Sequence, residues 1–436
     1  MKKIVSLLIV LALMTCFVST TAFADTKPDI DINARHALLV NTDTDTVVYE
    51  HDAYSKDYPA SLTKIMTAII ALENTKNLDA VEITARPSHF NEFQGISVST
   101  ADIRSGESFS MRELLYALML NSACEAANII ADYVGTENGE DFIQMMNDKA
   151  KEIGAVNTHF ANPHGLFDEQ NYSTAYDMYL ITNYAIKVPG FLEIASTKNY
   201  IIEGNSERTE KRLYHTNKML FSSNAQFGKY YMPEVKGIKT GTLDEAGLCL
   251  ITCAEYNGYN YICVVMGGDS NDSASRYKTT YNIYEWAFDN LMLKTLVEDT
   301  KSVAEVKVNL SKGKEYVLVR PAQRVSRMVD VNIDPSSVIL TMDLPSSVNA
   351  PIKAGDIIGK GTVTLMGEEV ATVDLVAMQD VERSTLKMIT FVMGKVMSKP
   401  GVIIGTVIFV ALLVFYAILS VMYNNYKRRR RRYRRY

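Results

Sequence analysis

The sequence has few of the residues that bind metals or form disulfide frameworks. Only five cysteines and six histidines occur among its 436 residues. No His-x-x-x-His pair is present, and the cysteine spacing matches neither a zinc site nor a dense set of disulfides. Zinc peptidase chemistry is therefore disfavoured, and neither a metal nor another cofactor is predicted. The four cysteines beyond residue 24 are expected to be buried free thiols.

Cations are also scarce once the two ends of the chain are set aside. The whole sequence carries 45 lysines and arginines against 50 aspartates and glutamates. Ten of the cations lie at the ends: Lys2, Lys3 and eight of the last ten residues. What remains is 35 cations against 50 anions, a net charge near −15. Such an acidic body argues against nucleic acid as a partner.

The first residues have the composition of an export signal. A basic pair, an apolar stretch and a final Ala-Phe-Ala predict a cleaved signal peptide over residues 1–24. A lipoprotein signal that uses Cys16 is the less favoured alternative, because Met14 and Thr15 fit poorly before a lipidated cysteine. The mature chain is therefore expected to begin at Asp25.

The other end of the chain has the composition of a membrane anchor. Residues 401–422 are almost all apolar and contain no charge, which meets the length of about 20 residues that a membrane-spanning helix needs. We predict a transmembrane helix over 401–423 and a basic cytoplasmic tail over 424–436, because clustered cations stay on the cytoplasmic side. Residues 25–400 should then lie outside the cytoplasm in a single-pass protein of the cell membrane. A nucleic-acid-binding tail is disfavoured directly after a membrane span.

The most informative motif is Ser61-Leu62-Thr63-Lys64, at the head of a helical apolar run. A serine and a lysine three apart share one face of a helix, where a neutral lysine can take the serine's proton. Lys239-Thr240-Gly241-Thr242 follows about 175 residues later. The Ser-x-x-Lys pattern also occurs at Ser275, Ser311 and Ser384, but only Ser61 has this context. Together the two motifs predict a serine acyl-enzyme.

Hydrophobic periodicity predicts an α/β domain with an antiparallel sheet. A hairpin stands at each end of a helix-rich middle, with Asn257-Gly258 as the turn of the second hairpin. The predicted strands are Ala37–Val40, Thr46–Tyr49, Gly247–Glu255 and Tyr259–Met266. The predicted helices are Met111–Leu120, Glu125–Val134, Asp141–Ile153, Thr174–Ile186 and Ser275–Leu293.

Beyond about residue 301 the pattern changes to short alternating runs separated by turn residues, which is typical of a small all-β domain. These runs are Val303–Val308, Tyr316–Val319, Met328–Ile333, Val338–Leu344 and Thr362–Met366. Ser384–Lys399 then predicts an amphipathic juxtamembrane helix. The predicted organisation is therefore a catalytic domain over 25–298, a β domain over 299–382 and an amphipathic segment over 383–400, before the membrane helix.

The motifs resemble those of the serine-type D-Ala-D-Ala carboxypeptidases, the low-molecular-mass penicillin-binding proteins of the S11 type. The resemblance covers nearly all of residues 28–395 and rests on Pro59–Thr67, Asn162–Leu166 and Gly237–Thr242 with Asp244–Gly247. It implies a β-lactamase/transpeptidase-like domain, an antiparallel sheet with a helical subdomain, followed by the all-β domain and the membrane helix. It also implies that peptidoglycan stem peptides are substrates and that β-lactams are inhibitors.

The resemblance further implies a role for each motif residue. Ser61 is the nucleophile, Lys64 is its base, and Ser122 relays a proton to the leaving amine. The segment Lys239-Thr240-Gly241-Thr242 binds the substrate, and its lysine and threonines hold the terminal carboxylate. The backbone N–H groups of Ser61 and Thr242 form the oxyanion hole. Arg276 either assists with the carboxylate or is a solvated helix residue.

The middle motif departs from the pattern of that family. A Ser-x-Asn is expected, but the sequence reads Ser122-Ala123-Cys124. A thiol is a weaker hydrogen-bond partner than a carboxamide, so either activity is reduced or Asn121 or Asn128 compensates. A catalytic role for Cys124 is disfavoured, because no histidine is paired with it in an identifiable motif.

Two alternative functions stay open. A β-lactamase needs a placed carboxylate for deacylation, and Asp168 and Glu169 lie in a loop that suggests this role. Their surroundings do not resemble the lactamase loop, however. His164, in the preceding Asn-Pro-His-Gly-Leu segment, is expected to be structural. The second alternative is a non-catalytic wall-binding protein that keeps the fold but has lost turnover through Cys124.

Overall fold

The computed structural model describes residues 30–206 and 208–433, which fall into two compact units. The first unit contains the described residues up to 294 together with 326–333. The second contains residues 295–325 and the described residues from 334 onward. The predicted signal peptide lies outside the described residues.

The first unit is built on a five-stranded antiparallel sheet. Its strands are β1 (Ala34–Asn41), β2 (Thr46–His51), β7 (Val235–Leu243), β8 (Gly247–Tyr256) and β9 (Tyr259–Gly268). The strand order is β2-β1-β9-β8-β7, which leaves β7 at one edge. Asn257 and Gly258 join β8 to β9 with positive φ at both positions, as tight turns between twisted strands require. Two small two-stranded sheets pair β3 (Ile83–Thr84) with β4 (Ser108–Phe109) and β5 (Asn199–Ile202) with β6 (Lys211–Tyr214).

Helices cover both faces of this sheet. They are α1 (Lys64–Asn74), α2 (Met111–Leu120), α3 (Cys124–Asn138), α4 (Phe142–Ile153), α5 (Ala175–Ala185), α6 (Phe191–Ser196) and α7 (Ser275–Asn290). Because side chains alternate along a strand, Leu38 and Val40 pack in the core with α1 to α6, whereas Ala37 and Leu39 pack on the other face with α7. Every residue from the start of α1 to Ala71 is buried, so this helix lies inside the larger core.

The second unit contains a six-stranded sheet in the order β14-β16-β17-β12-β11-β15. These strands are β11 (Ala304–Asn309), β12 (Tyr316–Pro321), β14 (Val338–Asp343), β15 (Ser347–Asn349), β16 (Ile357–Leu365) and β17 (Glu368–Ala377). Outside the six-stranded sheet, β10 (Leu291–Val297) and β13 (Val325–Asp330) form a two-stranded sheet, and most of its residues belong to the first unit. The predicted fold class, an α/β domain with an antiparallel sheet followed by an all-β domain, is confirmed.

One predicted helix ends earlier than expected. The helix predicted over Ser275–Leu293 stops at Asn290, and Leu291 begins a strand. Its last residues, Leu-Met-Leu, are apolar, and a short apolar run is compatible with either structure.

Two helices end the described chain: α8 (Thr385–Met397) and α9 (Pro400–Tyr433). The first corresponds to the predicted amphipathic segment, and Ser384 caps it by accepting a hydrogen bond from the Lys387 N–H. Within α9, the stretch Pro400–Arg428 is long and apolar enough to cross a membrane, by its length and composition. This helix could therefore anchor the protein to a membrane.

Candidate active site

Ser61 lies in a short 3-10 turn, Ala60–Thr63, that leads directly into α1. Ala60 has a φ of 49°, a left-handed conformation that a non-glycine residue rarely adopts. Gly165 packs against this turn so closely that a Cβ on it would lie 1.9 Å from the carbonyl oxygen of Ala60. The sequence Asn-Pro-His-Gly-Leu thus supplies the glycine that lets its loop support the turn carrying Ser61.

Lys64 is fully buried at the start of α1 and faces Ser61. Its Nζ lies 3.0 Å from the Ser61 hydroxyl, 3.5 Å from the Cys124 thiol and 2.5 Å from the backbone carbonyl oxygen of His164. Burial lowers the pKa of Lys64, while the Cys124 thiol and the charge of Glu125 act in the opposite direction. A lowered pKa increases the neutral fraction of the amine, which is the form that can accept the serine proton.

The loop that carries His164 is held on α1. Thr67, one helical turn after Lys64, donates a hydrogen bond to the Pro163 carbonyl oxygen at 2.6 Å. Lys64 itself contacts the carbonyl oxygen of the following residue, His164. The ring of His164 accepts from the Leu166 N–H at 3.2 Å and presents Nε2 at 3.3 Å from Glu92. Burial lowers the pKa of His164, and Glu92 opposes this effect. The role predicted as structural therefore includes direct backbone contact with Lys64.

Lys239 reaches the site from β7, the edge strand. It is fully buried, and its Nζ donates to the Thr240 carbonyl oxygen at 3.0 Å. Burial and the charge of Lys64 lower the pKa of Lys239 well below its usual value. A Cβ on Gly241 would lie 3.1 Å from both the Ala60 Cβ and the Pro59 carbonyl oxygen, so β7 passes directly beside the turn of the serine.

The threonines of the same strand have partners of their own. Thr240 donates to the hydroxyl of Thr216 at 2.7 Å. Arg276 donates to the Thr242 hydroxyl at 3.0 Å and to the Gly241 carbonyl oxygen at 2.7 Å. The guanidinium of Arg276 therefore contacts the strand of Lys239, and its assistance with the substrate carboxylate stays a prediction. Thr216 carried no recognisable signal in the sequence.

The middle motif forms the turn between α2 and α3. Ser122 is buried with a φ of 61°, and Cys124 begins α3 facing Lys64. The two asparagines that could compensate for Cys124 bond to groups other than Lys64. Asn121 accepts a hydrogen bond from the Tyr214 N–H at 2.9 Å, and Asn128 donates one to Glu92 at 2.5 Å. The thiol therefore stands alone in the position predicted for the motif asparagine.

Asp168 and Glu169 do not join this constellation. Both are exposed, and the Asp168 carboxylate accepts from the Gln170 N–H at 2.7 Å, two residues along its own loop. Neither residue is among the partners of Lys64 or Ser61. Nothing in this arrangement favours the β-lactamase alternative.

The described residues hold no group of three or more histidine, cysteine, aspartate or glutamate side chains that could bind a metal ion. The four cysteines they include are free thiols, of which Cys124, Cys249 and Cys263 are buried and Cys253 is partly exposed. The prediction of free thiols is confirmed, and burial holds for three of the four.

Comparison with known proteins gives two family matches. Residues 21–270 match the Peptidase S11 model, described as D-alanyl-D-alanine carboxypeptidase. Residues 292–383 match the model of the penicillin-binding protein 5 C-terminal domain. Since the first match covers more than half of the chain, it defines the family of the larger unit, and the second describes the all-β domain.

Individual proteins agree with these matches. The D-alanyl-D-alanine carboxypeptidase DacF of Bacillus subtilis is 29% identical over 391 residues, which cover 88% of this chain and 96% of the relative. The structure of penicillin-binding protein 5 from Haemophilus influenzae aligns with a TM-score of 0.64 and 25% identity, over 83% of this chain and all of that one. The Streptomyces K15 DD-transpeptidase aligns with a TM-score of 0.54 and 30% identity, over 61% of this chain and all of the neighbour.

Proposed function

The chain belongs to the D-alanyl-D-alanine carboxypeptidase family, peptidase S11, and we propose that it is a serine-type enzyme that removes the terminal D-alanine from peptidoglycan stem pentapeptides. The observation that carries this proposal is the 3.0 Å contact between the Ser61 hydroxyl and the buried amine of Lys64, beside a second buried lysine, Lys239. This is the arrangement that an activated serine nucleophile requires.

Acylation begins with attack of the Ser61 oxygen on the carbonyl carbon between the two terminal D-alanines. The serine O–H bond breaks and its proton passes to Nζ of Lys64. The C–N bond to the terminal D-alanine then breaks, and Ser122 relays a proton to the departing amine. The backbone N–H groups of Ser61 and Thr242 would stabilise the oxyanion that forms in between. A β-lactam would acylate Ser61 by the same steps.

The terminal carboxylate of the substrate would bind to the Lys239-Thr240-Gly241-Thr242 segment, with Arg276 beside it. A carboxylate placed near Lys239 favours the ammonium form that burial disfavours, so substrate binding would raise the pKa of this lysine. Removal of a single C-terminal residue follows, because the carboxylate can reach this segment only when one residue lies beyond the scissile bond.

Deacylation requires a water molecule to attack the Ser61 ester, with a base to accept its proton. Lys64 is the candidate, since it regains a neutral amine after the first product leaves. Cys124 would then replace the motif asparagine as a neighbour of Lys64, a substitution that weakens hydrogen bonding but leaves the base in place.

The site of action would be the outer face of the cell membrane. The predicted signal peptide would export residues 25–400, α9 would span the bilayer once, and the arginine-rich tail would remain in the cytoplasm. This orientation places the catalytic unit on the side where peptidoglycan lies.

The direct test uses the full chain, purified in detergent, with diacetyl-Lys-D-Ala-D-Ala as substrate and release of D-alanine as the measurement. We expect release from the wild type and none from Ser61→Ala. Lack of release from folded wild-type protein would contradict the proposal and would favour a wall-binding protein without turnover. Rapid hydrolysis of penicillin without D-alanine release would favour a β-lactamase.

A further inference from the structure

Glu125 is a buried carboxylate that the motif roles leave unused. It directly follows Cys124 in the first turn of α3, and only 2% of its surface is exposed. A buried carboxylate is costly unless hydrogen bonds or an opposite charge compensate it. The residue before it, Cys124, places its thiol 3.5 Å from Nζ of Lys64.

The two oxygens of Glu125 have different surroundings. Oε1 accepts from the Thr100 hydroxyl at 2.5 Å, from the Ala101 N–H at 2.7 Å and from the more distant Ile103 N–H at 3.5 Å. Oε2 is buried and has no hydrogen-bond partner among the described residues. One oxygen thus anchors the segment 100–103, while the other is buried without a hydrogen-bond donor.

A second contact fixes the same segment to the middle motif. The Cys124 N–H donates to the Ser99 carbonyl oxygen at 2.9 Å, one residue before the segment that Glu125 holds. Thr100 in turn accepts from the Asp102 N–H at 2.9 Å. The start of α3, which carries Cys124, is therefore braced by a loop whose anchor is Glu125.

Several elements contribute the groups around Lys64. Cys124 comes from α3, the His164 carbonyl and ring from the loop, and Lys239 from β7. Burial lowers the pKa of Lys64, and the Cys124 thiol, followed by the charge of Glu125, opposes this lowering. Cys124 thus has the base at its thiol and a buried carboxylate on the next residue.

Building on the proposed function, we propose that Glu125 is a positioning residue that stabilises the protonated Lys64 formed during acylation and fixes the loop behind Cys124. As the Ser61 oxygen bonds to the carbonyl carbon, its proton moves to Nζ of Lys64 and creates a buried ammonium. The charge of Glu125 favours that ammonium without direct contact. It acts like the third group that supports the base of other nucleophile and base pairs.

The test measures the rate constant of acylation by benzylpenicillin across pH, using the full chain in detergent. The acid limb of this pH–rate profile reports deprotonation of Lys64 in the free enzyme. In Glu125→Gln, loss of the charge should lower the pKa of Lys64 and move the acid limb to lower pH by about one unit. The plateau rate should fall about tenfold, because the ammonium is less stable as the serine proton is transferred.

Thr100→Val is the matched control, because it removes one bond to Glu125 and loosens the loop while the charge remains. Its acid limb should stay at the wild-type position. If Glu125→Gln does not fold, Glu125→Asp is the substitute, because its shorter side chain keeps the charge but moves the carboxylate back towards the backbone. The acid limb of the pH profile should then move in the same direction by a smaller amount.

An unmoved limb in the folded Glu125 variant, or an equal movement in Thr100→Val, would overturn the inference. Acylation of the wild type separates failure of the proposed function from failure of this inference. Wild-type protein that is never acylated would overturn the proposed function and this inference together, whereas normal acylation with an unmoved limb would overturn the inference alone.

Discussion

Arg35 binds Asp57 with two parallel hydrogen bonds, from Nε at 2.9 Å and from one terminal nitrogen at 3.1 Å. The same guanidinium donates to the carbonyl oxygens of Glu245 and Ala246 at 3.1 and 3.0 Å. Asp57 stands four residues before Ser61, and the two carbonyls follow the strand of Lys239. A single arginine therefore joins the two segments that must meet in the active site.

His36 makes this connection sensitive to pH. It lies 3.2 Å from Asp57, and this contact raises the pKa of His36 above 6.5 despite burial. Burial alone would raise the pKa of Asp57, but bonds from His36, Tyr58 and Arg35 outweigh it and lower the pKa below 3.8. The histidine contribution to stability is complete below pH 6.5 and is lost as pH rises through the raised pKa. The aspartate contribution is present above 3.8 and is lost as pH falls through the lowered pKa.

We therefore expect this group to stabilise the protein most between about pH 4 and 6.5. Thermal unfolding of the wild type and of His36→Gln, measured from acidic to mildly alkaline pH, should show a difference that is largest in that window and shrinks above it. A constant difference across the range would mean that His36 contributes through packing alone.

Gly165 should be irreplaceable because of its contact with the serine turn. It has a φ of 80°, and a Cβ would collide with the Ala60 carbonyl oxygen. Gly165→Ala should lower the free energy of unfolding by about 3 kcal/mol or more and reduce acylation of Ser61. Gly139 is the control, since its φ is 67° but nothing lies within 4 Å of its Cβ position. Gly139→Ala should cost about 1 kcal/mol and leave acylation unchanged. Equal effects of the two variants would contradict this account.

Cys124 should be replaceable by the asparagine of the family pattern. Its thiol lies 3.5 Å from Nζ of Lys64, and a carboxamide oxygen is a better acceptor for that group. We expect Cys124→Asn to have a kcat/KM for D-alanine release equal to or above the wild-type value, and Cys124→Ala to fall below it. A large loss in Cys124→Asn, with the fold intact, would show that the thiol has a specific role.

The orientation of the membrane helix can be tested on whole cells. If the tail after α9 is cytoplasmic, protease added to protoplasts should digest the catalytic unit and spare an epitope fused after Tyr436. Protection of the catalytic unit together with cleavage of the epitope would reverse the proposed orientation.

Sequence reasoning succeeded where the determining interactions are local. Asn257-Gly258 specifies its hairpin through the conformation of two residues. The pairing of Ser61 with Lys64 follows from helical spacing, and their 3.0 Å contact agrees with it. The helix predicted over Met111–Leu120 has the same bounds in the structure, because its apolar periodicity is strong.

The rest depended on contacts between distant parts of the chain. The contact of Lys64 with His164 uses a backbone carbonyl oxygen, which every residue type has, so the sequence does not indicate it. Glu125 could have been noted, since it directly follows Cys124, but its burial and its three donors come from a loop more than twenty residues away. Thr216 meets Thr240 only because β7 passes beside it. Such contacts are tertiary, and a single sequence does not encode them in a recognisable pattern.

The central claim is that Ser61 forms the acyl-enzyme, and the most direct measurement is the mass of the protein after reaction with benzylpenicillin, followed by peptide mapping. The account predicts one covalent adduct, located on the peptide that contains Ser61 and absent in Ser61→Ala. An adduct on Cys124, or an unmodified wild-type protein that is correctly folded, would contradict it.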